Sequence, residues 1–319
     1  MLFSACSTKE VYKPKLLGND WNKYKQSKFM ITDTASNVAL LEDTEVLTTE
    51  GVVDVDINSS YRLISHSDDW IISAKIDGNV SLVSTKDTSV IKTIDLKKTV
   101  AGASVQGNEL AVLFADNEIA LYDLNTKAIL FKEQGGKYVV ADSRIVNPYF
   151  MKGLVLFATL DGKVIFVNEA KKKRLRTVIV SSEDHFNNVI SLAVVQNKII
   201  AATSYTILSI ANKELRAKYE IRNIVHDENT LYIATKQGEI ISLTPDLQVI
   251  SKIKFPFAHF YGMISDGDKL YILEKEGYMI VVDKKSFDYT VHEVDFDSDG
   301  FIFTAGKKFF INDMTISVE

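Results

Sequence analysis

Residues 153–180 read GLVLFATLDGKVIFVNEAKKKRLRTVIV, and this stretch decides the fold. An apolar run ends in a two-residue turn, Asp161-Gly162, and an alternating run, a polar turn and a third apolar-rich run follow it. Glycine supplies the positive φ that a tight hairpin needs, and Val, Ile and Phe favour strands. The stretch therefore predicts three antiparallel strands joined by short turns.

The same order of runs and turns recurs along most of the chain. The turns that correspond to Asp161-Gly162 are Asp77-Gly78, Asp116-Asn117, Gln237-Gly238 and Glu276-Gly277. A short apolar stretch precedes each copy, such as NVISLAVV at 188–195, which makes four strands per unit. Copies begin about 30 to 45 residues apart, the spacing of β-propeller blades, and a lone unit of this kind cannot bury both of its faces.

The repeats predict an all-β fold, a β-propeller of four-stranded blades. Degenerate copies at 37–57 and 307–319 bring the count to eight blades; seven remain possible if those two copies merge. Propellers often close by letting one terminus complete the last blade, and SKFMITD at 27–33 is the expected donor strand. We expect one domain, 27–319, as the propeller.

Composition narrows the class of partner. The 319 residues are 46% hydrophobic and 25% charged, which is typical of a folded globular chain. The net charge of −5 disfavours nucleic acid, because phosphate binding needs a positive field. No run of about 18 apolar residues is present that would predict a membrane-spanning helix.

Segments such as ATLDGKVIFVNEAKKK (158–173) and SAKIDGNVSLVSTKDT (73–88) resemble the PQQ-like propeller repeat. Quinoprotein enzymes with this repeat typically carry a tryptophan near each blade end, an adjacent cysteine pair and a calcium site. This chain has only Trp21 and Trp70, neither at a blade end, and a single cysteine, Cys6. We therefore expect no quinone and no other cofactor.

The other users of the repeat are lipoproteins similar to BamB, the propeller subunit of the outer-membrane barrel assembly machinery. The residues Phe3-Ser4-Ala5-Cys6 resemble a lipobox, although an apolar signal run is missing before them. The resemblance implies that residues 1–5 are the remnant of a signal peptide, that Cys6 carries lipid, and that 6–26 form a flexible tether at the periplasmic face of the outer membrane.

The resemblance also implies a function. The chain would be a non-enzymatic scaffold that binds envelope proteins, including the barrel assembly protein, as a monomer within a complex. Two alternatives stay open: an envelope lipoprotein with an unrelated partner, and a propeller enzyme, a hydrolase or lyase, with its site at the central channel.

Partner contacts are expected in the connections that lead from the outer strand of one blade to the inner strand of the next. Such loops emerge on one face of a propeller, and aromatic and arginine side chains are favoured interface anchors. Packing of these rings between blades is the alternative. The candidate partner-binding residues are Arg144, Tyr149, Phe150, His185, Phe186, Arg222, Phe257, Phe260 and Tyr261.

No motif for catalysis or metal binding is found. The five histidines lie far apart, although His226 and His259 could fall near inner strands. The acidic stretch at 295–299 lacks a complete calcium-loop pattern. The basic run 171–176, KKKRLR, is interpreted as a solvated turn on the outer rim, with contact to anionic lipid as the alternative.

Overall fold

A computed structural model describes residues 10–28, 30–297 and 299–318. Over these residues the chain forms eight four-stranded antiparallel sheets, the blades of an eight-bladed β-propeller. The preferred blade count is confirmed, and the seven-bladed alternative is wrong. No helix in the described ranges has the length and apolarity needed to cross a membrane.

Each blade runs from an inner to an outer strand. Strand β1 (Tyr24–Gln26) precedes the first blade. The strands of blades 1 to 4 are β2 (Ile31–Ala35), β3 (Val38–Leu41), β4 (Val46–Thr48), β5 (Val52–Val53); β6 (Arg62–Ser67), β7 (Trp70–Ala74), β8 (Asn79–Ser84), β9 (Ile91–Asp95); β10 (Val100–Gln106), β11 (Glu109–Phe114), β12 (Glu118–Asp123), β13 (Ile129–Gln134); β14 (Tyr149–Met151), β15 (Leu154–Ala158), β16 (Lys163–Asn168) and β17 (Lys173–Ile179).

The second half of the propeller repeats this order. The strands of blades 5 to 8 are β18 (Ser191–Val195), β19 (Lys198–Ala202), β20 (Thr206–Ile210), β21 (Glu214–Lys218); β22 (Ile221–His226), β23 (Leu231–Thr235), β24 (Glu239–Leu243), β25 (Val249–Lys254); β26 (Phe260–Asp266), β27 (Lys269–Glu274), β28 (Tyr278–Asp283), β29 (Tyr289–Glu293); β30 (Ile302–Ala305), β31 (Lys308–Ile311) and β32 (Met314–Ser317).

The apolar runs follow from burial on both faces of each blade. In β11, Leu110 and Phe114 pack in a cluster with blade 2, whereas the intervening Leu113 packs in a cluster with blade 4. Successive side chains of a strand point to opposite faces of the sheet. The central strands of a blade that packs between two other blades therefore carry apolar side chains on both faces. Clusters of this kind fill the interfaces between neighbouring blades.

The N-terminal strand closes the ring. Strand β1 pairs antiparallel with β32, with Tyr24 opposite Ile316, and completes blade 8 as its outer strand. This corrects the donor strand expected at 27–33, because Ile31–Ala35 is the inner strand of blade 1. Residues 27–30 are therefore the connection from blade 8 to blade 1, with Phe29 outside the described residues.

Part of the stretch predicted as a tether lies on the propeller. Tyr12 is buried, and its ring meets Phe255 and Tyr278 edge-on, with centroids 6.0 and 5.6 Å away. Trp21 donates its indole N–H to the carbonyl of Ser317 at 3.0 Å. Cys6 and the residues 1–5 lie outside the described residues, so the lipid anchor stays a prediction.

The topology places two kinds of loop at one end of the propeller, which we call the loop face. It consists of the connections between blades and the turns between the second and third strands of each blade. Gly162 lies in one such turn with φ of +80°, and a Cβ there would come within 2.6 Å of the carbonyl of Ser181. Glycine is therefore required where this turn meets the next connection.

Candidate functional site

Long connections on the loop face are fastened to neighbouring turns. Asn117 is fully buried and donates its amide to the carbonyl of Gly136 at 2.8 Å and to Asp161 at 2.9 Å. Its side-chain oxygen accepts the N–H of Leu160 at 2.8 Å. One amide thus links the connection 135–148 to the turns of blades 3 and 4, and makes this loop part of the rigid scaffold.

A second polar cluster, which we call the central lock, joins blades 4, 5 and 6. Arg144 donates Nε and Nη2 to the carboxylate of Asp142 at 2.8 and 2.5 Å, and Nη1 to the carbonyl of Arg222 at 2.7 Å. Ser204 donates to Asp142 at 2.9 Å. The amide of Asn188 donates to the carbonyl of Arg144 at 3.0 Å and also accepts the N–H of Asp142.

The central lock holds Asp142 in its charged form. Burial by itself would raise the pKa of this carboxyl, but the hydrogen bonds from Arg144 and Ser204 outweigh burial and lower the pKa to about 2. The lock is therefore an internal ion pair at neutral pH, and it orients the connections 135–148 and 180–190 relative to each other.

Exposed aromatic side chains project from the connections 180–190 and 255–259. Phe186 is 41% and Phe257 is 59% exposed, and both have left-handed backbone, with φ of 51° and 66°. Phe257 is the third residue of a turn closed by a hydrogen bond from Ala258 N–H to the carbonyl of Phe255 at 3.1 Å, a position that favours Gly or Asn. A bulky residue that is both strained and exposed is a candidate for contact with a partner.

Three cavities open near these aromatics. A groove of about 760 Å³ lies between the connection 180–190 and the turn 236–238, and a second cavity of about 570 Å³ lies between that turn and the connection 255–259. A third of about 650 Å³ separates residues 10–15 from residues 254–257. Phe257 borders the second and third cavities.

The predicted partner-binding residues divide into exposed, buried and partly buried groups. Tyr149, His185, Phe186 and Phe257 are exposed, whereas Phe260 is 1% exposed and belongs to the core between blades 6 and 7. Phe260 is therefore corrected to a core residue, because it faces Phe255 edge-on.

The remaining predicted residues are partly buried. Phe150 packs against the core between blades 3 and 4, and the ring of Tyr261 lies 5.8 Å from that of His259. Arg144 belongs to the central lock and its side chain is 36% exposed, so its expected contact with a partner stays a prediction. Arg222 is half-buried and lines the cavity of about 570 Å³.

The histidines do not converge. His226 ends strand β22, at the end of the propeller opposite the loop face, whereas His259 precedes β26 on the loop face. No group of three potential metal ligands is found among the described residues. In the acidic stretch 295–299, Asp299 donates its N–H to Asp297 at 3.0 Å, with Ser298 outside the described residues.

The basic run 171–176 starts in the turn between β16 and β17 and continues along the outer strand β17. Lys172 pairs with Glu109, and Arg174 pairs with Glu133 at 2.6 Å. The guanidinium of Arg176 lies 4.4 Å above the ring of Phe166. The predicted place on the outer rim is confirmed, but residues 173–176 belong to strand β17 rather than to a turn.

Sequence reasoning missed several residues of this face. Asp142 and Asn188 of the central lock belong to no motif, and only the topology brings them together. Lys236 and Lys254 were not singled out, although Lys236 stands directly before the recognisable turn Gln237-Gly238. The hairpin pattern could have placed Lys236 on the loop face, but it carries no signal for its neighbours in space.

Comparison with curated proteins finds sequence relatives of this chain. The plasminogen-binding protein PgbB of Helicobacter pylori strain J99 is 34% identical over 228 residues, which are 70% of this chain and 42% of that protein. The chain thus spans less than half the length of this relative. No protein-family model matches the chain.

Solved structures share the fold at low sequence identity. BamB from Moraxella catarrhalis superposes with a TM-score of 0.67 at 10% identity, over 92% of this chain and 98% of that structure. The computationally designed protein Ika8 superposes with a TM-score of 0.65 at 14% identity, over 94% of this chain and all of that structure. At such identities the likeness establishes the propeller fold alone.

Proposed function

We propose that this propeller is a protein-binding module of the cell envelope and that the loop face is its recognition surface. The observation that carries the proposal is the pair of exposed phenylalanines, Phe186 and Phe257, in left-handed backbone on connections that are hydrogen-bonded to neighbouring loops: Phe186 N–H donates to the carbonyl of Val140, and Phe255 N–H to the carbonyl of Gly238. Aromatic side chains already held in place lose little conformational entropy on binding, which makes them effective anchors.

The finer form of the proposal is a BamB-like scaffold. In this role the chain binds envelope proteins, including the barrel assembly protein, without catalysing a reaction, and a lipid on Cys6 holds it at the outer membrane. The shared fold with BamB and the sequence match to a plasminogen-binding protein support a binding role. The fixed loop face supports recognition by a preformed surface.

Site-specific photo-crosslinking tests the recognition surface. A benzoylphenylalanine at position 186 or 257 should give a discrete adduct with an envelope protein in intact cells. The same group at Ile129, which is equally exposed on the outer strand β13, is the matched control. Adducts that are no stronger at 186 and 257 than at 129 would contradict the proposal, and immunoblotting of the adduct decides whether the barrel assembly protein is the partner.

Mass spectrometry of the native N-terminus tests the anchor. A lipidated Cys6 at the first position is the expected result, and a Cys6→Ala chain should leave the membrane fraction. An unmodified Cys6 in the native protein removes the anchor from the proposal while leaving the recognition surface intact.

Plasminogen binding is a second candidate function, favoured by the 34% identity to PgbB. Surface plasmon resonance with immobilised plasminogen gives a direct test. Saturable binding by the chain would assign the activity to the region that the two proteins share. Signals no larger than those of Ika8, which shares the fold at 14% identity, would remove this candidate.

A further inference from the structure

The cavity of about 570 Å³ on the loop face, which we call the cationic pocket, has an unusual lining. It lies between the turn 236–238 of blade 6 and the connection 255–259 to blade 7. Three cations line it: Arg222 from β22, Lys236 from the turn, and Lys254 from the end of β25. Pro256 and Phe257 provide an apolar border.

No carboxylate of the described chain lines the cationic pocket. The neighbouring groove is different, since it includes Glu183, Asp184, Glu220 and Glu239, and there Lys252 pairs with Glu239 at 2.7 Å. Lys236 lies 5.2 Å from the ring of Tyr205, a contact that leaves its charge in place. The pocket is thus a local positive field on a chain whose net charge is −5.

Arg222 is the innermost of the three cations. Its Nε donates to the carbonyl of Phe260 at 3.3 Å, and its own carbonyl accepts from Arg144. Burial and the nearby charge of Arg144 lower the pKa of the Arg222 guanidinium, and together they outweigh the opposite effect of Asp142. A half-buried cation beside another cation gains from an added anion, and a guanidinium can hold a carboxylate through two hydrogen bonds.

The form of the pocket favours an extended peptide over a small anion. Lys236 and Lys254 are exposed at the rim, where charges attract a flexible acidic chain over distance. Phe257 adds an exposed aromatic surface that an inorganic anion could not use, whereas a peptide can place an apolar side chain against it.

We propose that the cationic pocket binds an acidic, extended segment of a partner protein, with a carboxylate at Arg222 and an apolar side chain against Phe257. This inference rests on the proposed function, in which the loop face binds proteins, and it specifies the chemistry of the segment recognised.

Fluorescence anisotropy with two labelled peptides provides the test. The probe has the sequence EDFDEF, and its control, QNFNQF, keeps the shape and the phenylalanines but removes the charges. We expect the acidic peptide to bind at least tenfold more tightly at low ionic strength and to weaken as salt rises. Equal binding of the two peptides, or binding of neither, would overturn the proposal.

Charge reversal locates the binding. The double variant K236E/K254E changes two exposed side chains, so folding is retained, and it should weaken the acidic peptide at least tenfold. The matched control is the double variant K127E/K213E, because Lys127 and Lys213 are exposed in the turns between the third and fourth strands of blades 3 and 5, at the opposite end of the propeller. Equal loss in both variants would overturn the assignment to this pocket.

Competition separates a peptide site from a simple anion site. Inorganic phosphate at millimolar concentration should displace the acidic peptide only as far as sodium chloride of equal ionic strength does. Full displacement by phosphate alone would overturn the proposal. If the acidic peptide fails while photo-adducts at 186 and 257 persist, this inference falls and the protein-binding function stands.

Discussion

Two cationic regions of this chain differ in what surrounds their charges. In the basic run 171–176, Lys172 and Arg174 meet Glu109 and Glu133 on the neighbouring blade. In the cationic pocket the charges come from three separate elements and no described carboxylate lines the cavity. The region with the dense charge in the sequence is thus partly neutralised, and the region with dispersed charge is not.

The difference has a physical origin in the position of each region. The turn before β17 and the strand itself lie beside acidic side chains of blade 3, so Lys172 and Arg174 find ion-pair partners there; Arg174 remains 52% exposed, whereas Lys172 and Glu109 are each only 22% exposed. The cationic pocket borders the central lock, where Asp142 already serves Arg144. Asp142 acts on Arg222 only over distance, and its effect is smaller than that of Arg144; the lock fixes the Arg222 backbone through the hydrogen bond from Arg144 to the Arg222 carbonyl.

The largest effect is expected from breaking the central lock. Asp142→Ala would leave Arg144 half-buried without its carboxylate and make it resemble Arg222. We expect the free energy of unfolding to fall by about 3 kcal/mol, as for other buried ion pairs that lose one partner. Urea denaturation measures the change. Asp184→Ala, an exposed carboxylate of the connection 180–190, should stay within about 0.5 kcal/mol, and equal losses in both variants would contradict the role of the lock.

A pH series tests the same carboxylate without a substitution. The pKa of Asp142 is about 2 in the folded chain and about 3.9 when unfolded. The contribution of the charged Asp142 to the free energy of unfolding is therefore complete above about pH 4 and disappears as the pH falls towards 2. We expect a loss of about 2 kcal/mol over this window, measured by urea denaturation at each pH. The free energy of unfolding of Asp142→Ala should fall by that much less over the same pH window. Parallel plots of the free energy of unfolding against pH for the two chains would contradict the assignment of this loss to Asp142.

Much of the fold could be predicted from the sequence, because hairpin turns and apolar runs are local signals. The turn Asp161-Gly162 and its counterparts marked the second and third strands of the blades, and the blade count followed. The donor strand was missed because β1 is only Tyr24–Gln26, with all three side chains exposed. A strand that supplies little more than backbone hydrogen bonds has no apolar pattern to detect.

The candidate site was only partly predictable. Phe186 and Phe257 were identified because connections between blades can be located from the repeat. Phe260 was misplaced, since a one-dimensional pattern does not distinguish a ring at a loop tip from one three residues later at the start of a strand. Of the cationic pocket, the sequence indicated only Arg222; Lys236 and Lys254 were missed, because the pairing of the strands of blade 6 brings these separated positions together.

The third-largest effect is expected for Phe257→Asn, which tests whether Phe257 serves partner binding or stability. Phe257→Asn should raise the free energy of unfolding by about 1 kcal/mol, because Asn tolerates the left-handed backbone of this turn position better than Phe. The same variant should weaken the acidic peptide, since the apolar border of the cationic pocket is lost. Phe257→Tyr, which keeps the ring and the strain, is the control for stability. A loss of stability in Phe257→Asn would show that the ring supports the fold.

The smallest expected effect is the difference in stability between variants of one lysine from each cationic region. Lys172→Ala removes the ion pair with Glu109, in which each side chain is only 22% exposed, so we expect a loss of about 1 kcal/mol in the free energy of unfolding. Lys254→Ala removes no ion pair with any described residue and should change stability by less than that, while it weakens the acidic peptide. Added salt at about 1 M should narrow the difference between the two variants, because it weakens an ion pair that still contacts solvent. A greater loss in Lys254→Ala than in Lys172→Ala would reverse the comparison and mean that the pocket lysine serves folding. The expected order instead assigns Lys172 to the contact between blades and Lys254 to binding.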